Sequence, residues 1–345
     1  MIPSILPYPI GKLPNAILGD LLSRLSHRVH DPRVLVGPRI GEDAAVLDFG
    51  ETLLIAATDP ITFATEQIGW YAVQINANDV AVRGAQPRWF LAVVLLPEDK
   101  TDHALVSYIF DQISDTCAAL GCTLIGGHTE ITYRLERPIV IGQMLGEVSR
   151  EKLVRTAGAQ VGDVLLLTKG LAIEGTAVLA REQTTELRAG GMADDVIAQA
   201  QNYLYQPGLS IVRDALTANA VSHLHAMHDP TEGGLATALF ELADAAQVGI
   251  VVERTRIPIL PESETLCAIL GLDPLGLLAS GALLLAVAPN EAGVVIQALT
   301  QEEIGCTPIG HIVPREEGLQ LIQRDRVIGL PRFQRDEITK VFNSR

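Results

Sequence analysis

Four carboxylates in segments that contain glycine or proline are the side chains of this chain best suited to chemistry. They are Asp43, Asp59, Asp79 and Glu130. Brought to one place, these groups would repel one another and raise one another's pKa values. Hard divalent cations relieve such repulsion, and Mg²⁺ binds carboxylate and phosphate oxygens together. The set therefore predicts phosphoryl transfer, in which catalysis depends mainly on positioning and charge neutralisation.

The segments around Asp43 and Asp59 also have a simple structural explanation. Gly41, Glu42 and Asp43 precede an apolar strand, and glycine and aspartate are common in turns. Asp59 follows Thr58 at the end of another predicted strand, where it is equally suited to cap the next segment. Neither segment decides by itself between a structural role and a ligand-binding role.

The segment from Asn76 to Pro87 is more specific. Asn76, Asn78 and Asp79 lie within a helix predicted over 66–83, where short polar side chains lower helix propensity. Asn76 and Asp79 are three residues apart and share one face of that helix. A glycine and a proline then end the helix. A polar helix end explains those two residues but leaves the Asn/Asp cluster unexplained.

A glycine pair follows a strand predicted over 122–125. Gly126 and Gly127 allow the backbone to approach a ligand closely or to adopt a positive φ, and His128 and Thr129 come next. A histidine here could bind zinc, but no second histidine or cysteine lies near it at ligand spacing. A hydrogen-bonding or structural role for His128 is therefore favoured.

The segment from Asp229 to Gly234 is predicted to begin a helix. Asp229 is a good N-cap, and Glu232 falls at the third helical position of a capping box. Capping does not explain Gly233 and Gly234, because glycine in the first turn costs about 1 kcal/mol relative to alanine. Bare amides at a helix N-terminus bind anions, so ligand binding is the favoured hypothesis for this segment.

A third glycine-bearing loop runs from Lys169 to Thr176, between a predicted strand and a predicted helix. It has the G-x4-G spacing of a phosphate loop, but Thr176 stands where such a loop needs lysine. A Walker-type ATPase is therefore not expected. A looser glycine-rich loop remains open.

Length and composition limit the class of protein. The 345 residues are enough for two domains, and 48% apolar with 19% charged residues indicate a globular chain. A net charge of −15 without a basic stripe argues against nucleic-acid partners. The longest apolar run, 275–288, is shorter than the ~20 residues of a membrane span, and residues 1–10 lack a signal-peptide pattern. With four scattered cysteines interpreted as buried apolar residues, we expect a cytoplasmic protein without a membrane segment.

Predicted strands alternate with predicted helices, which indicates an α/β layer arrangement. The strands are predicted over 53–58, 89–96, 122–125, 139–148, 164–168, 250–253 and 282–288. The helices are predicted over 66–83, 101–120, 194–204, 207–219 and 290–299, with others that begin at 176 and 229. A polar, glycine-bearing stretch over 149–162 suggests a domain boundary. We therefore expect an N-terminal extension (1–36), a first domain (37–150) and a second domain (151–345).

These motifs, in this order, resemble those of the AIR-synthetase-related superfamily over about residues 37–330. Residues 79–87 fit the signature D-x4-G-A-x-P. The similarity is closest to HypE-like hydrogenase expression/formation proteins, through GEDAAV at 41, TDP at 58, NANDVAVRGAQP at 76, GGHTE at 126 and DPTEGGLATAL at 229. The resemblance implies a two-domain PurM-like fold of the α/β (two-layer α+β) type. It also implies a homodimer that pairs the sheets of two N-terminal domains, with ATP in a cleft near the dimer interface.

The resemblance also implies roles for individual residues. It places Mg²⁺ and phosphate at Asp43, Asp59 and Asp79, with Glu130 nearby as a further metal ligand. Asp79, Glu130 and Asp229 are the catalytic candidates. The residues expected to contact ATP are Gly41, Thr58, Asn76, Asn78, Gly126, Gly127, His128, Thr129, Glu232, Gly233 and Gly234.

One departure from the HypE-like pattern concerns the C-terminal tail. HypE-like proteins end in a cysteine that accepts a carbamoyl group, which is then dehydrated to a thiocyanate. The last cysteine here is Cys306, so we expect the thiocyanate step to lack its carrier. Lys12 is the only early lysine that could reach a phosphate, although a solvated lysine is the favoured interpretation.

Two hypotheses about function remain open. The first is an ATP-dependent enzyme that phosphorylates an oxygen of a small molecule or a protein group. The second is a nucleotide-binding factor of the hydrogenase-maturation type that acts through a protein partner and has no turnover of its own.

Overall fold

The computed structural model describes residue 13 and residues 15–25, 31–62, 66–324 and 326–342. Lys12 lies outside these residues. The strands are β1 (Val34–Val36), β2 (Ala45–Asp48), β3 (Thr52–Ile61), β4 (Gln86–Pro97), β5 (Thr123–Thr132), β6 (Ile139–Ser149), β7 (Val164–Thr168), β8 (Ala226–His228), β9 (Gly249–Glu253), β10 (Leu284–Val287), β11 (Cys306–Val313), β12 (Leu319–Gln323) and β13 (Arg326–Gly329). The α-helices are α1 (Asn15–Leu25), α2 (Ile68–Ala81), α3 (His103–Leu120), α4 (Ile173–Glu182), α5 (Thr184–Ala189), α6 (Asp194–Gln201), α7 (Val212–Val221), α8 (Gly234–Ala246), α9 (Pro261–Leu270), α10 (Ala292–Gln301) and α11 (Thr339–Phe342).

The chain divides into two compact units, each with its own sheet. The N-terminal unit comprises Arg33–Gly37 and Asp43–Leu153. The C-terminal unit comprises Pro38–Glu42 and Val154–Arg345, together with Met1–Pro32, as far as these segments are described. That the chain forms two independent domains with a boundary at residue 150 stays a prediction. No helix within the described ranges has the length and hydrophobicity needed to cross a membrane.

The N-terminal unit is built on a six-stranded sheet in the order β1-β2-β3-β6-β4-β5. Strands β4 and β5 are parallel and are joined by α3, while the other neighbours are antiparallel. Parallel neighbours need such a crossover connection, because a tight turn can join only antiparallel strands. Helix α2 packs against β3, β6 and α3, and all of its residues except Trp70 are buried.

Helix α2 approaches the sheet closely because β6 has glycines beneath it. A Cβ added to Gly142 would lie 2.3 Å from Asn76 Nδ2, and one added to Gly146 would lie 2.4 Å from Val80 Cγ1. Real Cβ contacts are never this short, so any larger residue would push the helix away. These two glycines thus set the depth at which the polar residues of α2 sit.

The two faces of this sheet differ in how well they are covered. Phe90, Val94 and Leu96 of β4 are buried on the face that α2 covers. Side chains alternate between the two faces along a strand, so Leu91, Val93 and Leu95 point to the opposite face. Those side chains are only half-buried. Strand β6 adds three more half-buried apolar residues to this face, namely Ile139, Ile141 and Leu145.

The C-terminal unit is built on a seven-stranded sheet in the order β13-β12-β9-β11-β7-β10-β8. Strands β9 and β12 are parallel, and the other neighbours are antiparallel. The central strands β7 and β10 are apolar and buried along nearly their whole length. Strands covered on both faces have continuous rather than alternating apolar sequences, and LLL at 165–167 has this pattern.

Several predicted helices and strands begin or end at other residues than expected. The strand predicted at 53–58 continues as β3 to Ile61, and the helix predicted at 207–219 is α7. The strand predicted at 122–125 is the ten-residue β5, so the glycine pair lies inside a strand rather than after one. Gly126 and Gly127 have positive φ values of 158° and 148°, and a Cβ added to Gly127 would lie 1.9 Å from Ala92 O.

Candidate functional site

A row of polar residues runs along one side of α2 in the N-terminal unit. Asp79 comes three positions after Asn76, and Arg83 comes four positions after Asp79. All three residues therefore lie on one side of the helix and its final turn. Asn76 is fully buried, and Asp79 is 7% exposed. This burial excludes a solvated helix end. The residues from Asn76 to Arg83 span about 10 Å along the axis.

Asn76 holds the end of β3. Its Oδ1 accepts a hydrogen bond from Asp59 N at 2.8 Å, and its Nδ2 donates to Asp59 O at 3.2 Å and to Ala72 O at 2.8 Å. These bonds use only the backbone of Asp59. The Asp59 side chain lies on the sheet face that α2 covers, whereas that of Thr58 lies on the other face, where Oγ1 donates to Gly142 O at 2.8 Å.

At the other end of the row of polar residues, Arg83 binds the carboxylate of Asp43. Its side chain is completely buried, and Nη2 donates to Asp43 Oδ2 at 2.7 Å. The Asp43 side chain is 18% exposed. Arg83 thus attaches Asp43, and Asn76 attaches the backbone of Asp59, to the helix that carries Asp79. We refer to Asp43, Asp59 and Asp79 as the carboxylate row. Sequence reasoning missed Arg83, although a charged residue within the small and apolar run of 80–85 was a usable signal.

The structure places Glu130 away from the carboxylate row of the same chain. In the sheet, Asp59 aligns with Gly142, Ala92 and Gly127 across β3, β6, β4 and β5. Adjacent strands are roughly 4.8 Å apart, so β3 and β5 are separated by about 14 Å. Glu130 also pairs with Leu95, on the sheet face opposite α2.

His128 and Glu130 form an exposed pair on β5. Their Nε2 and Oε2 atoms are 3.3 Å apart, and the side chains are 65% and 55% exposed. Residues two apart on a strand share a face, so both belong to the incompletely covered side of the sheet. Thr129 points to the other face. Among the described residues of β5, Leu124 and Thr132 are half-buried and the others are exposed.

The glycine-bearing turn at α8 differs from its prediction. Helix α8 begins at Gly234 rather than at Asp229, so the predicted capping box is wrong. Gly233 and Gly234 have φ values of 82° and 67°, which strongly favour glycine. Added Cβ atoms would also lie 2.2 Å from Thr237 Oγ1 and 2.5 Å from Leu275 O, respectively. Local backbone geometry therefore accounts for this glycine pair.

An internal carboxylate binds the amide at this turn. Gly233 N donates to Asp336 Oδ2 at 2.7 Å, and Gly234 N donates to Thr231 O at 3.0 Å. Asp336 is only 3% exposed, and burial raises its pKa to about 6. The amides predicted to meet a phosphate are thus engaged within the chain.

Two further carboxylates surround Asp336, and we call Glu174, Glu232 and Asp336 the α8 cluster. Burial raises the pKa of Glu174 to about 7, with a smaller contribution from the charge of Asp336. Glu232 contributes to the raised pKa of Asp336. Neighbouring this turn, the buried Asp229 follows His228, whose Nε2 lies 3.0 Å from Glu241 Oε2. Gly41 also packs here, against the backbone of Glu241.

The lysine that begins the glycine-bearing loop at 169–176 is engaged inside the C-terminal unit. The Lys169 side chain points inward, where Nζ lies 3.3 Å from Asp214 Oδ2 and donates to Ser210 O. The two side chains of this ion pair are 7% and 2% exposed. Burial lowers the pKa of Lys169, and Asp214 opposes that effect. The lysine therefore offsets the charge of Asp214 within the C-terminal unit.

The four cysteines are poorly suited to nucleophilic chemistry. Burial raises the pKa values of Cys117, Cys267 and Cys306 to about 12, and it also raises that of Cys122. Thiols become competent nucleophiles when they ionise. Cys306 lies in β11 and is only half-buried, which departs from the prediction that all four cysteines are buried.

Comparison with protein families identifies both halves of the chain. Residues 41–148 match the model of the AIR synthase related protein, N-terminal domain. Residues 160–322 match the model of the corresponding C-terminal domain. Together the two models cover most of the sequence in the expected order.

Curated relatives come from two groups. A carbamoyl dehydratase HypE of Rhodobacter capsulatus is 29% identical over 316 residues, which cover 87% of this chain and 86% of the relative. A selenide, water dikinase of Paraburkholderia xenovorans (strain LB400) is 31% identical over 256 residues, which cover 73% of this chain and 68% of the relative. The similarity to both therefore extends across both family models.

Solved structures show the same fold. HypE in a HypE-HypF complex matches with a TM-score of 0.75 at 20% identity, over 91% of this chain and 100% of the other. The hydrogenase maturation protein HypE in complex with ATP matches with a TM-score of 0.71 at 24% identity, over 88% and 92%. With the two family models in sequence, this chain belongs to the AIR synthase related protein family and has its two-domain PurM-like α/β fold.

Proposed function

We propose that this chain is a cytoplasmic enzyme that uses ATP and Mg²⁺ to transfer a phosphoryl group to an oxygen of a small molecule or a protein group. The observation that carries this proposal is the carboxylate row, Asp43, Asp59 and Asp79, fixed along α2 by Asn76 and Arg83. Three carboxylates against one guanidinium leave an excess of negative charge that a divalent cation would offset.

The donor set of the row suits Mg²⁺. All three side chains offer carboxylate oxygens, which hard cations prefer, and Asp43 and Asp59 are not fully buried. Asp43, Asp59 and Asp79 would hold Mg²⁺, which when bound would supply positive charge to the transferred phosphoryl group. The chain's own contribution is positioning, because Asn76 fixes the end of β3 and Arg83 fixes Asp43.

The names of the relatives support a phosphoryl-transfer reaction. One relative is named as a dikinase, and one structure of similar fold contains ATP. Other relatives are named carbamoyl dehydratase. We propose that this chain activates an oxygen of its acceptor by phosphorylation, which makes the oxygen a better leaving group. We leave the acceptor unspecified between a small molecule and a protein group.

We propose Asp79 as the central residue of the site, with Glu130 and Asp229 as further catalytic candidates. Gly41, Thr58, Asn78 and the segment 126–129 remain proposed contacts of ATP. Glu232, Gly233 and Gly234 also remain proposed contacts of ATP, but ATP at the Gly233 amide would have to displace Asp336, and ATP at the Gly234 amide would have to displace Thr231 O. We therefore expect these three residues to contribute less than the residues of the carboxylate row.

A homodimer is part of the proposal. The side of the N-terminal sheet opposite α2 carries half-buried apolar residues such as Leu91, Val93 and Ile141, and β5 at its edge is almost wholly exposed. Unpaired edge strands invite pairing with another chain. A second copy of the same sheet would cover this face, and it could bring Glu130 and His128 to a shared nucleotide cleft. A monomer at micromolar concentration by light scattering would contradict this.

A second candidate is a nucleotide-binding maturation factor that acts through a protein partner. The fold match to HypE in its complex with HypF favours it. Release of ADP distinguishes the two candidates. Mg²⁺-dependent ADP release in the presence of a candidate acceptor supports the enzyme, whereas ATP binding without release and a stable complex with a partner protein support the maturation factor.

Calorimetric titration of ATP in Mg²⁺ and in EDTA tests the proposal. We expect binding only with Mg²⁺ or Mn²⁺, because a bare polyphosphate would be repelled by the carboxylate row and by the net charge of −15. Equal affinity in EDTA would contradict the proposal.

A further inference from the structure

Arg83 is a completely buried guanidinium in the turn that ends α2. Its backbone N–H bonds to Val80 O at 3.1 Å, and Gly84 then ends the turn with a φ of 74°. A cation at a helix C-terminus is favoured by the helix dipole. That effect does not explain why the side chain turns to Asp43, which is 40 residues away in sequence, with an Nη2–Oδ2 distance of 2.7 Å.

Stability gives little reason for a charge at this position. The residues around it in sequence, Val80, Ala81, Val82 and Ala85, are fully buried and apolar. Taking an ion pair out of water costs several kcal/mol per ion, and replacing such pairs by apolar residues is often neutral or stabilising. A role at the neighbouring carboxylates accounts for the arginine better than packing does.

The geometry suits Arg83 to the task of orienting Asp43. A guanidinium is planar, always charged and pre-organised for carboxylates, so it can fix one oxygen in place. Only Oδ2 of Asp43 takes part in this bond, and the side chain remains 18% exposed. Solvent, and therefore a ligand, can still reach Asp43. Arg83 also stands four residues after Asp79, on the same side of the helix.

We propose that Arg83 is a positioning residue that holds Asp43 Oδ2 so that this carboxylate is presented to a divalent cation together with Asp79. Its positive charge also offsets part of the repulsion within the carboxylate row before the cation binds. This inference rests on the proposed function, because it assumes that a divalent cation binds at the row.

The test is a double-mutant cycle between Arg83 and Asp43, with Mn²⁺ affinity as the readout. Free Mn²⁺ is measured by electron paramagnetic resonance, with Mn²⁺ alone and with a non-hydrolysable ATP analogue. Removing a group that orients a metal ligand commonly weakens metal binding by about tenfold or more, and we expect this for Arg83→Met. Arg83→Lys keeps the charge and should recover part of the loss.

The double variant separates positioning from an independent effect. If Arg83 acts through Asp43, then Arg83→Met should weaken binding little further once Asp43→Asn is present. Arg88→Met is the matched control, because Arg88 lies in the same unit, is 52% exposed and is 3.9 Å from Glu147. This control should bind Mn²⁺ with wild-type affinity.

The outcomes distinguish this inference from the proposed function. Wild-type Mn²⁺ affinity in Arg83→Met, with only a lower unfolding temperature, shows a merely structural role and overturns the inference alone. Additive losses in the double variant also overturn it. If Arg83→Met does not fold, the same cycle is measured with Arg83→Lys. A wild-type chain that binds neither Mn²⁺ nor the analogue overturns the proposed function, and this inference falls with it.

Discussion

The carboxylate row and the α8 cluster are both acidic, but the chain treats their charges differently. In the row, the buried Arg83 binds the carboxylate of Asp43, which remains 18% exposed, and the buried Asn76 binds the backbone of Asp59. In the α8 cluster, Asp336 is bound by the chain's own amides, and burial raises the pKa values of Asp336 and Glu174.

The difference shows why acidic, glycine-bearing motifs are not equivalent. A carboxylate fixed by a cation stays ionised and can still be offered to a metal. A buried carboxylate with a raised pKa tends to take up a proton and become neutral instead. An amide that already donates to such a carboxylate is not available to a phosphate. We therefore propose that the ligand binds at the carboxylate row and that the α8 cluster has a structural role.

The largest expected effect separates the two regions directly. Asp79→Asn should weaken Mg²⁺·ATP binding by about 100-fold or more, because it removes a charged oxygen ligand. Asp336→Asn should change the affinity by less than about threefold. Calorimetry measures both, with Asp115→Asn as an exposed control in α3. A larger loss in Asp336→Asn than in Asp79→Asn would reverse the comparison.

Close packing of α2 on β6 provides a second test. Gly142→Ala should destabilise the chain by about 1–3 kcal/mol, because its Cβ would press on Asn76 Nδ2. It should also weaken Mg²⁺·ATP binding, since Asn76 holds Asp59. Gly293→Ala is the control, because nothing lies within 4 Å of its added Cβ and the residue is in helix α10. Urea unfolding that shows no difference between the two variants would contradict this view of the packing.

A smaller effect is expected in the dependence of stability on pH. The pKa of Glu174 in the folded chain is about 7, above its ordinary value of 4.5. A raised pKa means that the stabilising contribution is complete below pH 4.5 and is lost as the pH rises through 7. Glu174→Gln should therefore remain more stable than the wild type at pH 8, by roughly 5 °C in Tm, and should match it below pH 4.5. A constant difference at all pH values would show that ionisation of Glu174 is not the cause.

The smallest expected effect is the absence of a covalent product. Given ATP and a carbamoyl donor, no cysteine of this chain should gain a carbamoyl or cyano group, because burial raises the pKa values of all four thiols. Intact-mass spectrometry decides the matter. An ATP-dependent mass gain on Cys306 or another cysteine would show that this expectation is wrong.

The sequence was a good guide where a pattern had one physical meaning. Alternating strands and helices predicted α/β layers, and the motif at 76–87 indicated an unusual helix. It was a poor guide where two meanings compete. Gly233 and Gly234 fitted an anion site, but their positive φ values require glycine anyway, and Asp336, a hundred residues later, fills the site.

Long-range contacts also explain what sequence reasoning missed in the row. Nothing local to Arg83 points to Asp43, because only the fold brings the turn after α2 beside the loop before β2. Likewise, spacing cannot reveal that β6 and β4 lie between Asp59 and Glu130. Such separations follow from strand order, which depends on the packing of the whole sheet.

The most direct test of the account is to locate the cation. Crystals grown with Mn²⁺ and a non-hydrolysable ATP analogue would give an anomalous signal at each bound ion. The account predicts Mn²⁺ in contact with carboxylate oxygens of Asp43, Asp59 or Asp79 beside α2. Mn²⁺ bound instead at Glu174, Glu232 or Asp336, with none at the row, would contradict it.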